Sequence, residues 1–248
     1  MSGHRQVLAV VAAVVVVAAG VVVVVATGRG GAPAAAPPRV TTTSSTATPT
    51  PTLTVDSGCR TGEGPDALAD VPPEVTTQVG AAWDRIDAWL AEHAPVSSAA
   101  LRPPASDDTI VAAQRAAGVR FPAALVASLR RHDGADPEHA FTFPPLMHPL
   151  SAARIADEAE LMCDVLASVG VDGNVGSWWH GRYVPVATDH GGDLLFLDGD
   201  RLGYHYEADN VAFRGPADFT ALLEHTADAL AGGGADRPVV VDGELDWH

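Results

Sequence analysis

Hydrophobic and polar positions divide this chain into three textures. From Val7 to Thr27 the residues are Val, Ala, Leu and Gly without interruption, closed by a single Thr. A helix packed on a soluble core would show a polar face, and this run has none. Its 21 residues, at a rise of ~1.5 Å each, cover about 31 Å, close to the hydrocarbon thickness of a bilayer. The pattern predicts a transmembrane helix over 7–27 behind a short tail at 1–6. A cleaved signal peptide is the rival reading, and Ala26 and Gly28 would suit a peptidase. Its apolar region would be ~7–15 residues, so the length favours retention. The second texture, 28–58, is mostly Thr, Pro, Ala, Ser and Gly, with Thr-Pro-Thr-Pro at 48–51. Such a segment buries too little apolar surface to offset its chain entropy and is predicted to be a disordered linker.

The third texture, 59–234, alternates in the manner of a folded domain. Val79, Trp83, Ile86 and Leu90 recur at helical spacing, with Trp89 beside them, and predict a helix over about 76–93. A second begins at Ser106, an N-cap followed by Asp107 and Asp108, and stops at Gly118. A third opens at Phe121-Pro122, turns Leu125 and Leu129 inward and closes at His132-Asp133-Gly134. A fourth starts at Ser151 and carries Ile155, Met162, Leu166 and Val169 inward. Strands are expected at Tyr183–Ala187, Asp193–Asp198 and Arg201–Tyr206, the last two joined as a hairpin at Asp198-Gly199-Asp200. A last helix spans about 216–231, before Gly232-Gly233-Gly234. The remaining 235–248 is read as a tail whose one apolar triplet, Val239 to Val241, either pairs as an edge strand or stays loose. Helices, then an antiparallel meander, then a helix, is the order of an α+β domain.

Charge narrows the partners. All 31 acidic residues lie from Asp56 onward against 12 of the 15 arginines, a formal charge of −19 over 56–248. That surface repels phosphate backbones and disfavours nucleic acid, while it would draw in a basic protein. Orientation in a membrane is weakly marked, with Arg5 before the apolar run and Arg29 and Arg39 after it. A Thr/Pro stalk suits the outer face of a cell, which favours an extracytoplasmic domain. The two cysteines, Cys59 and Cys163, could pair in an oxidising space, and two free thiols are equally open from spacing alone.

Chemistry is harder to find. His180, Asp189, His190, Asp193, Asp198, Asp200 and His205 fall within 26 residues, but without the spacing of a metal site, and Asp and Gly at strand ends are common turn formers. The serine-nucleophile elbow, the phosphate loop and the Cys-x-x-Cys pair are all missing from the sequence. No catalytic residue, metal or cofactor is therefore assigned. Trp178-Trp179-His180 stands out as a candidate partner contact, with Asp189 and Asp193. Two adjacent tryptophans on an extended segment would point to opposite faces, leaving one for a partner.

Trp83-Asp84-Arg85-Ile86, Trp89-Leu90, Pro103-Pro104-Ala105-Ser106, Gly118-Val119-Arg120-Phe121-Pro122, His132-Asp133-Gly134, Trp178, Tyr183-Val184-Pro185-Val186-Ala187, Gly191-Gly192-Asp193 and Leu195-Phe196-Leu197-Asp198 follow one another in an order that resembles the SUKH superfamily of Smi/Knr-type proteins. Each piece is short; their succession over some 150 residues carries the likeness. One departure is Gln114, where the family often has Glu. The resemblance implies a single α+β domain without catalytic machinery that binds other proteins, with bacterial relatives acting as immunity proteins against toxins and fungal ones in cell-wall regulation. The expected function is thus a membrane-anchored Smi/Knr-type binding domain, in its most concrete form an immunity protein covering a basic toxin. A cell-envelope scaffold or wall-associated regulator, and a metal-dependent envelope hydrolase built on the 178–205 cluster, are the alternatives.

Overall fold

A computed structural model describes residues 55–136, 141–206 and 210–248. Among them no helix is long and apolar enough to cross a membrane. The expected span at 7–27 and residues 28–54 of the expected linker lie outside the described residues.

Helix α1, Pro73–His93, starts on a proline whose fixed φ suits the first turn, and it buries Val79, Trp83, Ile86 and Leu90. A short α2, Pro95–Ala100, follows directly. Helix α3, Asp107–Ala117, is capped as its sequence predicts: the Ser106 side chain accepts from Thr109 N, and Gly118 turns left-handed at φ 75°. Helix α4, Ala123–Leu129, places Pro122 at its N-cap, one position before the expected one. Helix α5, Ala152–Val169, is capped by Ser151 and turns Ile155, Met162 and Leu166 inward. Val169, expected inside, is 58 % exposed, because the apolar period runs past the packed part of the helix. Helix α6, Phe219–Leu230, begins at an Asp218 cap rather than at Pro216.

Four strands form one antiparallel sheet in the order β1-β2-β3-β4: His148–Pro149, Tyr183–Thr188, Leu194–Asp198 and Arg201–His205. Both faces of this sheet are covered. Val184, Leu195, Leu197 and Leu202 face the main core built from α1, α3, α4, α5 and α6. Tyr183, Leu194 and Phe196 face a second cluster with Met162, Leu166 and Trp179. A strand alternates faces at every residue, so burial on both sides makes Leu194-Leu195-Phe196-Leu197 read as a continuous apolar run. A bulge between Pro185 and Ala187 resets the alternation, and Val186 and Ala187 both end up in the main core.

Two segments outside the expected elements complete the domain. Residues 57–68 form a strap: Gly181 N donates to Ser57 O at 2.9 Å, and Gly62 N to Ala116 O at 2.8 Å. Cys59 and Cys163 are disulfide-bonded with Cα atoms 5.9 Å apart, tying the strap to α5 beside the second cluster. Gln114 locks the other end. Its Nε2 donates to the carbonyls of Pro65 and Ala67, at 2.8 and 3.1 Å, while Oε1 accepts from Phe121 N at 3.0 Å. The expected tail is a hairpin, β5 at Pro238–Val241 and β6 at Glu244–Trp247, turning at Asp242-Gly243 with both φ values positive. Leu245 and Trp247 are buried in the main core, so these residues belong to the fold and the reading as a tail is corrected. The turn dipeptide and the alternation of Glu244, Leu245, Asp246 and Trp247 carried that signal.

Candidate functional site

Of the residues proposed for partner contact, the structure brings only some together. Trp178 and Trp179 lie in a turn rather than an extended segment. Trp179 is fully buried, edge-on to Tyr183, Phe196 and His205 at 5.4, 5.6 and 5.7 Å. It is therefore a core residue of the second cluster and cannot meet a partner. Trp178 is half-buried at the rim of the same cluster, edge-on to His205 at 5.0 Å. His180 sits beside the strap at Gly58, its pKa lowered by burial and by the Arg182 charge. The whole of β2 separates this corner from Asp189, a distance of about 17 Å.

The dispersal extends to the other acidic and histidine residues between 178 and 205. Asp198 holds Arg182 through two hydrogen bonds of 2.6 and 3.0 Å. Asp189 serves the β2–β3 turn, where Oδ1 accepts from Gly191 N and Asp193 N at 2.7 and 3.0 Å. Among the described residues, no three His, Cys, Asp or Glu side chains converge as metal ligands would.

Around Asp189 a different site emerges. Phe143 and Met147 exchange backbone hydrogen bonds at 2.8 and 2.9 Å, closing a loop whose tip is Pro145 and Leu146. The Pro144–Pro145 peptide is cis. At this tip Leu146 is 49 % exposed. Next to it Tyr204, Tyr206, Asp193 and Asp189 line a cavity of about 380 Å³ that reaches His148. On the far side of His148 a second cavity, about 550 Å³, is lined by Arg102, Arg154, His190, Pro149 and Leu150. His148 thus stands between the two on the edge strand β1, with the His190 ring 4.5 Å away. Burial first, then the neighbouring His190, lowers the His148 pKa, against a smaller opposing effect of Asp189.

Sequence reasoning passed over 141–149. Pro144, Pro145 and Pro149 bracket Leu146 and Met147, and apolar residues so tightly framed by proline are poor candidates for strand interior. That was the available signal.

The His132-Asp133-Gly134 motif is a weld rather than a site. His132 Nε2 lies 3.0 Å from Asp87 Oδ1 on α1, and Asp133 Oδ1 accepts from Ala152 N at 2.7 Å at the start of α5. Gly134, at φ 70°, lets the chain pass so close to Leu150 and Ser151 that a Cβ would collide with their backbone. The motif therefore fixes the end of α4 against both helices and brings Ala135 to the second cavity.

The sequence model of the SMI1 / KNR4 family (SUKH-1) matches residues 104–228, from the approach to α3 nearly to the end of α6. This chain belongs to the SMI1 / KNR4 family (SUKH-1). The matched stretch holds the meander, α5 and most of the groove; the strap, α1, α2 and the terminal hairpin lie outside it. A KNR4/SMI1 homolog of Eremothecium gossypii is 45 % identical over 53 residues, 21 % of this chain. The chain spans only 8 % of that curated relative's length.

Proposed function

We propose that this SUKH domain is a protein-binding module held at a membrane by residues 7–27, and that it takes its partner in the groove around Leu146 and His148. The half-exposed Leu146, presented on a hydrogen-bonded loop beside two tyrosines, is the observation that carries the reading. Aromatic side chains around an apolar anchor are the usual composition of a recognition hot spot. The formal charge of −19 over 56–248 supports a basic partner, which it would steer toward the domain. The most concrete form is immunity: the domain occupies a basic toxin and blocks its work without making or breaking bonds itself. A disulfide between Cys59 and Cys163 supports an oxidising, extracytoplasmic setting.

The test is protection. Full-length chain is co-expressed with the product of a toxin gene adjacent to its own, and growth is scored. Wild type restores growth, Leu146→Asp loses most of it, and protection scales with complex formation that weakens at high salt. Growth arrest unchanged by the wild-type chain, or full rescue by Leu146→Asp, would sink the proposal.

A further inference from the structure

The arginines of this domain differ in what holds them. Arg60, Arg85, Arg115, Arg130, Arg131 and Arg182 each hold a carboxylate within about 3 Å, as expected on so acidic a surface. Among the described residues Arg120 donates to the Ala67 carbonyl, Arg201 lies over the Phe213 ring, and Arg237 pairs with no carboxylate. Of the two arginines at the second cavity, Arg102 likewise holds none and Arg154 approaches Asp157 only at 4.0 Å. Both line the 550 Å³ cavity with His148 and His190, over a floor that includes Pro149 and Leu150. His148 Nδ1 is buried without a hydrogen-bond partner among the described residues, as is Trp179 Nε1 in the second cluster. A buried polar nitrogen without a partner costs stability unless something satisfies it. His190 is held at φ 62°, a conformation uncommon for a residue with a side chain and found often at binding sites.

We infer that this cavity binds a carboxylate carried on an apolar body, the carboxylate meeting Arg102, Arg154 and the histidine pair while the body covers Pro149 and Leu150. This rests on the reading of the adjoining groove as the partner face and adds the chemistry of what enters it. The volume lies within the range of organic-ligand sites and far above that of a bare inorganic ion. A polyanion would be strongly repelled by the rest of the surface, a single carboxylate much less so. Acidic groups also face the histidines: Asp189 from the β2–β3 turn and, on α5, Glu158, whose pKa burial raises. They limit the positive charge of the empty pocket. An arriving carboxylate offsets the burial that lowers the His148 pKa and favours its protonation, so binding strengthens as pH falls. The carboxylate has two possible sources, a partner's chain terminus or a free organic acid.

The experiment is calorimetric titration of the full-length chain in detergent micelles with three probes: hexanoate, an N-acetylated Ala-Ala-Leu-Phe peptide with a free carboxylate, and the same peptide amidated. Saturable binding of either acid is expected, about tenfold tighter at pH 6 than at pH 8, with no binding of the amide. The paired change Arg102→Ala and Arg154→Ala abolishes it, Arg85→Ala leaves it intact, and ring resonances of His148 and His190 shift on saturation. A tighter peptide assigns the site to a partner's terminus; tighter hexanoate assigns it to a small acid. Failure of both acids to saturate by about 20 mM, near the weak end of measurable affinity, or equal binding of the amide, overturns the inference. The toxin-protection test with Leu146→Asp is unaffected by that outcome, so the two readings fail separately.

Discussion

At the scale of single residues, Gln114 shows what a one-atom difference does. Its amide nitrogen donates to two strap carbonyls, a task a carboxylate cannot perform. Gln114→Glu is expected to cost about 2–4 kcal/mol, since two acceptors and a buried charge lose their partners. The deficit should shrink on acidification, as a protonated carboxyl regains one donor; denaturant unfolding at pH 7 and pH 4 checks both. Asp87 makes the opposite case. Burial pushes its pKa up, but hydrogen bonds from His132 and Arg131 outweigh that and leave it lowered. A carboxylate depressed in the folded state stabilises above its unfolded pKa of ~3.9 and loses that contribution as pH falls through the folded value. Asp87→Asn should therefore cost about 1.5–3 kcal/mol at pH 7, the worth of hydrogen bonds to a charged group, and little at pH 2. An equal deficit at both pH values would mean that packing, not charge, holds this corner.

At the scale of elements, the strap and the hairpin each secure a neighbour. The disulfide closes a loop with a sequence separation of 104 residues, and a loop of that length stabilises by roughly 4.7 kcal/mol in the chain-entropy account. Cys163→Ser is expected to lose about 2–5 kcal/mol in urea unfolding and to open residues 57–68 to limited proteolysis. Trp247 Nε1 donates to Thr142 O and Oγ1 at 3.2 and 3.1 Å, directly before the Leu146 loop. Trp247→Ala should cost about 3–5 kcal/mol and speed amide exchange at Phe143 and Met147; unchanged exchange would detach the hairpin from the loop. Much of this architecture was legible. Ser106 and Gly118 announced α3 because caps are local chemistry. The β3–β4 hairpin was announced by Gly199, which occupies the first of two loop positions at positive φ. The groove was not legible, because Arg102, His148, Arg154 and His190 come from four separate segments. Trp179 misled for a related reason: only the tertiary fold shows that the sheet's second face needs a cover, and Trp179 supplies it.

At the scale of the whole molecule, a sheet buried on both faces leaves recognition to its edges and ends, and β1 is such an edge. The formal charge of −19 should make association with a basic partner fall steeply between low and high salt, chiefly through the on-rate. Stopped-flow association at two ionic strengths would show it, and a salt-independent on-rate would remove charge from the account. The bond between Cys59 and Cys163 also has a mechanical meaning. Tension arriving along the chain ahead of Cys59 crosses directly to α5, so the segment between the two cysteines is bypassed and cannot be drawn out. Force spectroscopy between the termini should give one short extension under oxidising conditions, lengthened by about 370 Å after reduction, from 104 residues at ~3.6 Å each. The wall of the groove that comes from inside that bypassed loop, Arg102, Ala135 and Leu146 to Arg154, would keep its shape while a tether is under load.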